Sequence, residues 1–173
     1  MKTFLVVNPR SAGGQTGKRG AELSAQIGKS IGEFGHEFTA GAMDAARVAR
    51  KAIESGYECI VAVGGDGTIN EVVNGFFRDG QVINPHAALG VIPRGTGGDF
   101  RRAFGWELDL DSALARLRTD KTEPFDVNRG DVSPLSAATC RRMSLYARSL
   151  RGSKRDVRAS FSHNARSSAV TVS

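Results

Sequence analysis

The sequence feature that most constrains the fold is a buried-type strand that runs directly into a glycine-rich turn. The apolar run Cys59–Val63 has β-strand character, and Gly64, Gly65 and Gly67 follow at once. Glycine lets the backbone turn sharply and lets its N–H groups approach a ligand without a Cβ in the way. A strand, a glycine-rich turn and a helix in this order predict a phosphate-binding turn.

Two polar residues of this turn have predicted chemical roles. Thr68 suits the N-cap of the following helix, whose free N–H groups and dipole favour an anion. Asp66 cannot usefully face bare phosphate oxygens, but its carboxylate could bind a Mg²⁺ carried by the phosphates, or order water and backbone around them. The alternative is an ordinary turn with Asp66 as a solvated loop residue, and the complete string of residues favours the phosphate interpretation.

Composition places the chain among ordinary globular proteins. A length of 173 residues with 40% hydrophobic and 24% charged residues suits one domain with a sizeable core. The two cysteines, Cys59 and Cys140, form no motif, so a reducing cytoplasmic setting is expected. Because no stretch approaches the roughly 18 to 20 apolar residues of a membrane span, a cytoplasmic protein, at most peripheral at a membrane, is predicted.

The positive charge is concentrated at the C-terminal end. Residues 1–128 hold 15 Lys/Arg and 16 Asp/Glu, whereas residues 129–173 hold 9 Lys/Arg, 2 Asp and ten serines. Such a segment can meet nucleic acid or an anionic membrane. A disordered extension without a partner is favoured here, and no specific nucleic-acid partner is expected.

The first 128 residues alternate strand and helix patterns, which predicts an α/β fold with a mostly parallel sheet and helices on both faces. From about Arg129 the alternation ends, and residues 129–173 are predicted to be a poorly ordered basic tail. A short helix around 138–150 is the only element expected there. Predicted strands are Thr3–Val7, His36–Thr39, Cys59–Val63, Ala87–Ile92 and one from Phe125, and predicted helices are Lys18–Phe34, Asp44–Ser55, one ending near Phe77 and one from Asp111.

Three loops of small residues follow predicted strands. They are Asn8–Gly14, Gly64–Thr68 and Pro93–Asp99. Because the carboxyl ends of parallel strands lie at one edge of the sheet, where ligands of such folds bind, the three loops are expected to converge. Arg94, Arg101 and Arg102 cluster around the third loop and could attract phosphate or an anionic membrane, although solvated surface arginines are the more frequent case.

Residues 4–127 resemble the catalytic domain of the diacylglycerol kinase and sphingosine kinase superfamily, most closely the bacterial soluble lipid kinases. The segments Asn8–Gly14, Gly64–Gly75 and Leu89–Phe100 carry this resemblance, in the family's order and spacing. It implies ATP-dependent transfer of a phosphoryl group to a lipid hydroxyl, diacylglycerol-like, at a membrane surface. ATP and Mg²⁺ are the implied cofactors.

The resemblance also implies which residues handle the nucleotide. Asp66 would lie near the metal–phosphate centre as the catalytic residue, Thr39 would stand at the end of the second strand, and no protein-held metal site is implied. The implied nucleotide-binding residues are Asn8, Ser11, Thr39, Gly64, Gly65, Asp66, Gly67, Thr68, Asn70, Glu71 and Thr96.

The chain departs from the family pattern in two places. Gly98 stands where family members usually carry asparagine. The β-rich second domain, which in the family carries the acidic residue proposed to deprotonate the lipid hydroxyl, has no counterpart after Val127. The chain is therefore expected to be the nucleotide-binding part, residues 1–128, of a truncated or frame-shifted product, and the alternative is a stand-alone nucleotide module with a basic tail.

Two other functions remain open at this point. An NAD kinase-like enzyme shares the Gly-Gly-Asp-Gly-Thr turn, but Ile69–Glu71 and the Asn8-Pro9 opening favour the lipid enzymes. A catalytically inactive ATP-binding fragment is the non-enzymatic alternative.

Overall fold

The computed structural model describes residues 1–95, 98–119, 121–130, 140–146, 158–162 and 170–172. Up to residue 118 the chain alternates strands and helices as the sequence predicts, apart from one short hairpin at residues 77–82. A short 3₁₀ turn, Ala12–Gly14, follows the first strand. The strands are β1 Thr3–Val7, β2 Phe34–Phe38, β3 Cys59–Gly64, β4 Phe77–Arg78, β5 Gln81–Val82, β6 Ala88–Pro93, β7 Thr122–Gly130, β8 Cys140–Tyr146, β9 Arg158–Ser162 and β10 Val170–Val172. The helices are α1 Gln15–Lys18, α2 Gly20–Ile31, α3 Asp44–Glu54, α4 Asp66–Gly75, α5 Asp99–Ala103 and α6 Leu110–Arg118.

The main sheet has the order β10-β9-β7-β8-β6-β3-β1-β2 in the described part of the chain. Strands β2, β1, β3 and β6 are parallel neighbours, which confirms the predicted α/β fold. Their register is level: Val7 lies opposite both Phe38 and Val63, and Val63 lies opposite Ile92. The loops after these strands therefore leave the sheet at one common edge.

Helices cover both faces of the parallel strands because buried strand residues alternate between two hydrophobic cores. Helices α3 and α4 contribute to the first core, and α2 and α6 contribute to the second. Burying one aliphatic side chain of this kind stabilises the fold by about 1.5–3 kcal/mol. The first core includes Val6, Ile60, Leu89, Val48 and Val72, and the second includes Leu5, Val61, Ile92, Ile27 and Leu114.

Several boundaries differ from the sequence prediction by one to three residues, most consequentially between α2 and β2. The helix predicted over Lys18–Phe34 ends at Ile31, because Gly32 takes a φ of 81° that stops the helix. Phe34, which the helical spacing assigned to that helix, instead begins β2. The predicted strand His36–Thr39 accordingly starts earlier and ends at Phe38.

The C-terminal residues contribute strands to the same sheet. The predicted boundary at residue 128 falls inside β7, which pairs with β8 antiparallel and with β9 parallel. The short helix expected around 138–150 is wrong in its described part, since Cys140–Tyr146 is a strand that also joins β6. Backbone groups offered by the sheet edge at β6 override a weak local pattern. The rest of the predicted tail lies largely outside the described residues.

None of the helices in the described ranges is both long enough and apolar enough to cross a membrane.

The contact between α3 and α4 depends on a glycine at the end of α4. A Cβ added to Gly75 would lie 2.6 Å from Ala46 O and 2.7 Å from Ala49 Cβ. Gly75→Ala is expected to lower the free energy of unfolding by about 1–3 kcal/mol, because the helices must separate. Gly28→Ala in α2 is the matched control, since its Cβ meets only Phe34 Cε1, at 3.7 Å.

Urea denaturation of the two variants checks this prediction. Gly28→Ala is expected to raise stability by about 0.5–1 kcal/mol through helix propensity. Equal stability of Gly75→Ala and the wild type would contradict the steric argument.

Candidate functional site

The loop after β1 is tied to the loop after β3 through Asn8. Its backbone N–H donates to Val63 O at 3.0 Å, and its side-chain amide donates to Thr68 Oγ1 at 3.0 Å. Asn8 Oδ1 also accepts from Arg10 N–H at 3.0 Å, which turns the chain away from the sheet. One side chain therefore fixes both the start of its own loop and the position of the neighbouring loop.

The Asn8 loop is compact and polar inside. Ser11 Oγ lies 2.8 Å from Asn8 O and 2.7 Å from Thr16 Oγ1, and Thr16 is fully buried. Ala12 has a φ of 52°, and Gly13 and Gly14 continue in the left-handed region. A non-glycine residue in this region is strained, and such strain is often found at functional sites.

The end of β3 is packed too closely against the following turn for any side chain at Gly64. A Cβ added to Gly64 would lie 2.6 Å from Thr68 Cβ and would overlap Thr68 Oγ1. The prediction that Thr68 caps α4 is wrong, because α4 begins at Asp66 with Gly65 as its N-cap. Thr68 lies in the first turn of the helix, is 5% exposed, and uses its hydroxyl to hold Asn8.

Asp66 connects the β3 turn to the turn after β6. Its Oδ2 accepts from Asp99 N–H at 3.0 Å and its Oδ1 accepts from Phe100 N–H at 3.3 Å. The two N–H groups belong to the first turn of α5, which offers no intrahelical acceptor for them. The Asp66 carboxylate thus holds the start of α5 against the turn after β3, which is the first glycine-rich turn.

The same two turns touch through their backbones. Arg94 N–H donates to Gly64 O at 2.8 Å. A Cβ added to Gly95 would lie 2.9 Å from Gly65 Cα, so only glycine fits at Gly95 without displacement. The glycine backbones of the turns after β3 and β6 therefore lie side by side at the carboxyl edge of the sheet.

Two of the residues in the predicted set have contacts within the helical layer. Glu71 Oε2 accepts from Ala45 N–H at 3.1 Å and so caps α3 with a side chain from α4. Asn70 is buried, and its Oδ1 accepts from Asn74 Nδ2 at 3.1 Å. Their contact with a nucleotide stays a prediction, and the contacts observed position α4.

Thr39 follows β2 at the same edge, next to the Asn8 loop. Its N–H donates to Val7 O at 2.9 Å. The next residue, Ala40, donates its N–H to Asp44 Oδ2 at 2.8 Å. Hydrogen bonding from Arg47, and then from Ala40, lowers the pKa of Asp44. The anchoring carboxylate is therefore ionised at neutral pH, and its contribution to stability is lost as the pH falls through that lowered pKa.

The predicted convergence of the three loops is observed, and four of the eleven predicted residues form contacts between them. Asn8, Gly64, Asp66 and Thr68 are joined by the contacts above, directly or through the neighbouring turn, and Thr96 lies outside the described residues. Thr16, which is not among the predicted residues, has a buried hydroxyl that joins Ser11 to Arg94. No periodic pattern marks such a residue.

Metal-binding side chains are sparse in this region. Across the described residues, no group of three or more His, Cys, Asp and Glu is placed to hold a metal ion. A carboxylate-rich protein cage is therefore not part of the site as described. The site offers backbone N–H groups, hydroxyl groups, the partly exposed carboxylate of Asp66 and the guanidinium group of Arg94.

Fold and site together define an α/β protein with interlocked glycine-rich loops at the carboxyl edge of a parallel sheet, the edge at which folds of this kind bind ligands. A family model described as "Diacylglycerol kinase catalytic domain" matches residues 2–129. The chain belongs to this family, as the three loop segments predict.

Individual relatives agree with this assignment. A diacylglycerol kinase of Staphylococcus epidermidis is 38% identical over 112 residues, which cover 65% of this chain and 31% of the relative. A diacylglycerol kinase of Staphylococcus haemolyticus is 41% identical over 86 residues, covering 50% of this chain and 25% of the relative. The crystal structure of a diacylglycerol kinase from Bacillus anthracis superposes with a TM-score of 0.61 at 25% identity, covering 74% of this chain and 45% of that one. This chain spans less than half the length of each of these proteins.

Proposed function

We propose that this chain is the nucleotide-binding part of an ATP-dependent lipid kinase. In such an enzyme the γ-phosphoryl group of ATP passes to a lipid hydroxyl of the diacylglycerol type at a membrane surface. Family membership supports the lipid kinase class, and it favours that class over the NAD kinase alternative. The use of ATP, the requirement for Mg²⁺ and the lipid acceptor are what the proposal adds to family membership.

The observation that carries the proposal is the bridge between the two glycine-rich turns. The Asp66 carboxylate accepts from two backbone N–H groups of α5, and Gly65 lies against Gly95. Phosphoryl transfer depends mainly on positioning and charge neutralisation, and backbone N–H donors supply both without side-chain entropy. Two adjoining glycine-rich backbones at a sheet edge are suited to hold a chain of phosphates.

The residues present fit a Mg²⁺ ion that arrives with the nucleotide. In proteins Mg²⁺ commonly takes one or two carboxylates together with substrate phosphates and water. Asp66 is partly exposed, and each of its oxygens has a second lone pair beyond the N–H bond that it accepts. When bound, the ion would neutralise phosphate charge, and Asp66 is the residue proposed to hold it.

The remaining residues of the site orient the nucleotide by fixing the loops. Asn8 and Thr68 hold the first two loops together, and Ser11 presents a hydroxyl in the first loop. Thr39 lies beside them at the end of β2. In the proposal these side chains and the N–H groups of the Gly64 turn align the triphosphate for in-line transfer.

Binding and transfer are tested separately, because the chain spans less than half the length of its relatives. Titration calorimetry of the full chain with ATP is expected to show binding that requires MgCl₂. Incubation with γ-labelled ATP and vesicles that contain diacylglycerol is expected to give little or no labelled lipid. The proposed site in the described residues binds the nucleotide. By the family resemblance, the acidic residue that deprotonates the lipid hydroxyl belongs to the family's second domain.

The outcomes separate the alternatives. Absence of Mg·ATP binding contradicts the proposal. Binding without transfer supports a nucleotide-binding part, and rapid labelling of lipid supports a complete lipid kinase. Labelling of NAD in place of lipid favours the NAD kinase alternative.

A further inference from the structure

We propose that Arg94 is the cation through which this chain binds the β- and γ-phosphates of its nucleotide. This inference rests on the proposed function and names a residue that the predicted nucleotide set does not contain. Three arginines, Arg94, Arg101 and Arg102, surround the turn after β6, which is the second glycine-rich turn. The inference follows from the different surroundings of their side chains in the structure.

Arg101 and Arg102 are engaged with the protein itself. Arg101 Nη1 donates to Trp106 O at 3.1 Å, which ties α5 to the segment that follows it. Arg102 Nη1 forms an ion pair with Asp99 at 2.5 Å on the exposed side of α5. Neither contact directs a guanidinium toward the Asn8 or Gly64 loops.

Arg94 lies between those loops. It follows β6 directly, its N–H donates to Gly64 O at 2.8 Å, and its Nε lies 3.5 Å from Thr16 Oγ1. Thr16 Oγ1 in turn is 2.7 Å from Ser11 Oγ in the first loop. The Arg94 side chain therefore reaches from the turn after β6 to Thr16 in α1, which connects it to the Asn8 loop at the edge where the triphosphate is proposed to lie.

The charge of Arg94 has no carboxylate partner within the described residues. Arg94 forms none of the ion pairs found in that part of the chain, and its side-chain hydrogen bond there is the long one to Thr16. Glu22 pairs with Arg19, and Arg94 is the weakest of the causes that lower the pKa of Glu22. A partly buried guanidinium at a loop junction is thus left with donors available for an anion.

The charge of the terminal phosphates of ATP accounts for an arginine at the position of Arg94. The terminal phosphates of ATP carry most of its negative charge, and arginine binds phosphate oxygens through paired N–H donors in a planar fork. The neighbouring cations, Arg10 in the Asn8 loop and Lys18 in α1, are solvent-exposed. Arg94 would add a fixed positive charge where charge is redistributed during phosphoryl transfer.

The test compares nucleotides of different phosphate content on the full chain. In calorimetry with MgCl₂, Arg94→Gln is expected to weaken ATP binding about tenfold or more, the loss typical of a charge-assisted hydrogen bond. AMP binding should change by less than about threefold, because AMP lacks the β- and γ-phosphates. Arg94→Lys should give an intermediate ATP affinity, since it keeps the charge and loses the fork.

Arg102→Gln is the matched control, because it removes the same charge from the same turn region without touching the loop junction. Circular dichroism and thermal unfolding establish that each variant is folded. Wild-type ATP affinity should fall with added salt, and the dependence should be weaker in Arg94→Gln.

Three results would overturn the inference: equal ATP affinity in Arg94→Gln and the wild type, equal losses for ATP and AMP, or an equal loss in Arg102→Gln. Failure of the wild type to bind ATP would contradict the proposed function itself. These outcomes are distinguishable because the first three presuppose that the wild-type chain binds ATP.

Discussion

Replacing Asp66 by alanine is expected to weaken Mg·ATP binding by a factor of about 100 or more, the largest effect of any single side-chain truncation in the site. Two losses act together. The N–H groups of Asp99 and Phe100 lose their acceptor, so the second glycine-rich turn is released from the first. The carboxylate proposed to hold the nucleotide's metal ion is removed as well.

The release of the turn has its own spectroscopic signal. Trp106 is the one tryptophan of the chain, is 7% exposed and stacks on Phe104 with ring centroids 4.9 Å apart. Phe100, whose N–H is bonded to Asp66, also contacts the Trp106 ring edge-on. If Asp66 holds α5, Asp66→Ala shifts the tryptophan emission to longer wavelength as the cluster loosens and water reaches the ring.

Two further variants separate positioning from metal binding. Asp66→Asn keeps one oxygen acceptor, so its tryptophan emission should lie closer to that of the wild type while its requirement for Mg²⁺ rises. Asp111→Asn removes an exposed carboxylate from α6 and should change neither signal. Wild-type ATP affinity together with unchanged emission in Asp66→Ala would contradict both roles assigned to Asp66.

The parts of the fold that could be predicted from the sequence are those encoded locally. The run Cys59–Val63 is apolar at every position, which is typical of a strand buried on both faces, and it is β3 in the structure. Thr3–Val7 is predicted at its observed bounds. Because parallel strands end at one edge, the order of strands and glycine-rich loops also predicts where the site lies, before any contact is known.

The remaining features depend on contacts between residues far apart in the chain. Thr68 is a residue type that often caps helices, but its hydroxyl oxygen accepts a hydrogen bond from Asn8, and α4 begins at Asp66 instead. Glu71 belongs to the conspicuous glycine-rich string, yet it reaches across to cap α3 at Ala45. The strand Cys140–Tyr146 has a weak local pattern and is defined by its pairing with β6 and β7. Such partners are fixed by tertiary packing, which local propensity does not encode.

Alanine substitutions at the adjacent glycines Gly64 and Gly65 are expected to have different effects on stability. Gly64→Ala should lower the free energy of unfolding by about 2–3 kcal/mol, because the new Cβ would lie 2.6 Å from Thr68 Cβ in a buried contact. Relief requires α4 to move away from β3, which breaks the Thr68–Asn8 hydrogen bond that joins two loops. ATP binding should be lost along with stability.

Gly65→Ala tests the functional role of bare backbone without that steric conflict. Gly65 has a φ of −91°, which alanine adopts freely, and its Cβ would be 3.6 Å from Gly95 Cα, an ordinary contact. Urea denaturation should therefore show stability within about 1 kcal/mol of the wild type, because alanine is a poorer N-cap than glycine but also restricts the unfolded chain. ATP affinity should nevertheless fall, because a methyl group then stands where the phosphates are proposed to approach the N–H groups.

The double variant Gly64→Ala/Thr68→Gly makes the steric argument quantitative. Removing the Thr68 side chain eliminates the atoms that the new Cβ would strike, so the two substitutions should be strongly non-additive in stability. Additive losses would show that the Gly64→Ala defect has another origin. If Gly65→Ala also kept full ATP affinity, the backbone of this turn would not be the phosphate-binding surface, because a close approach cannot tolerate an added methyl group there.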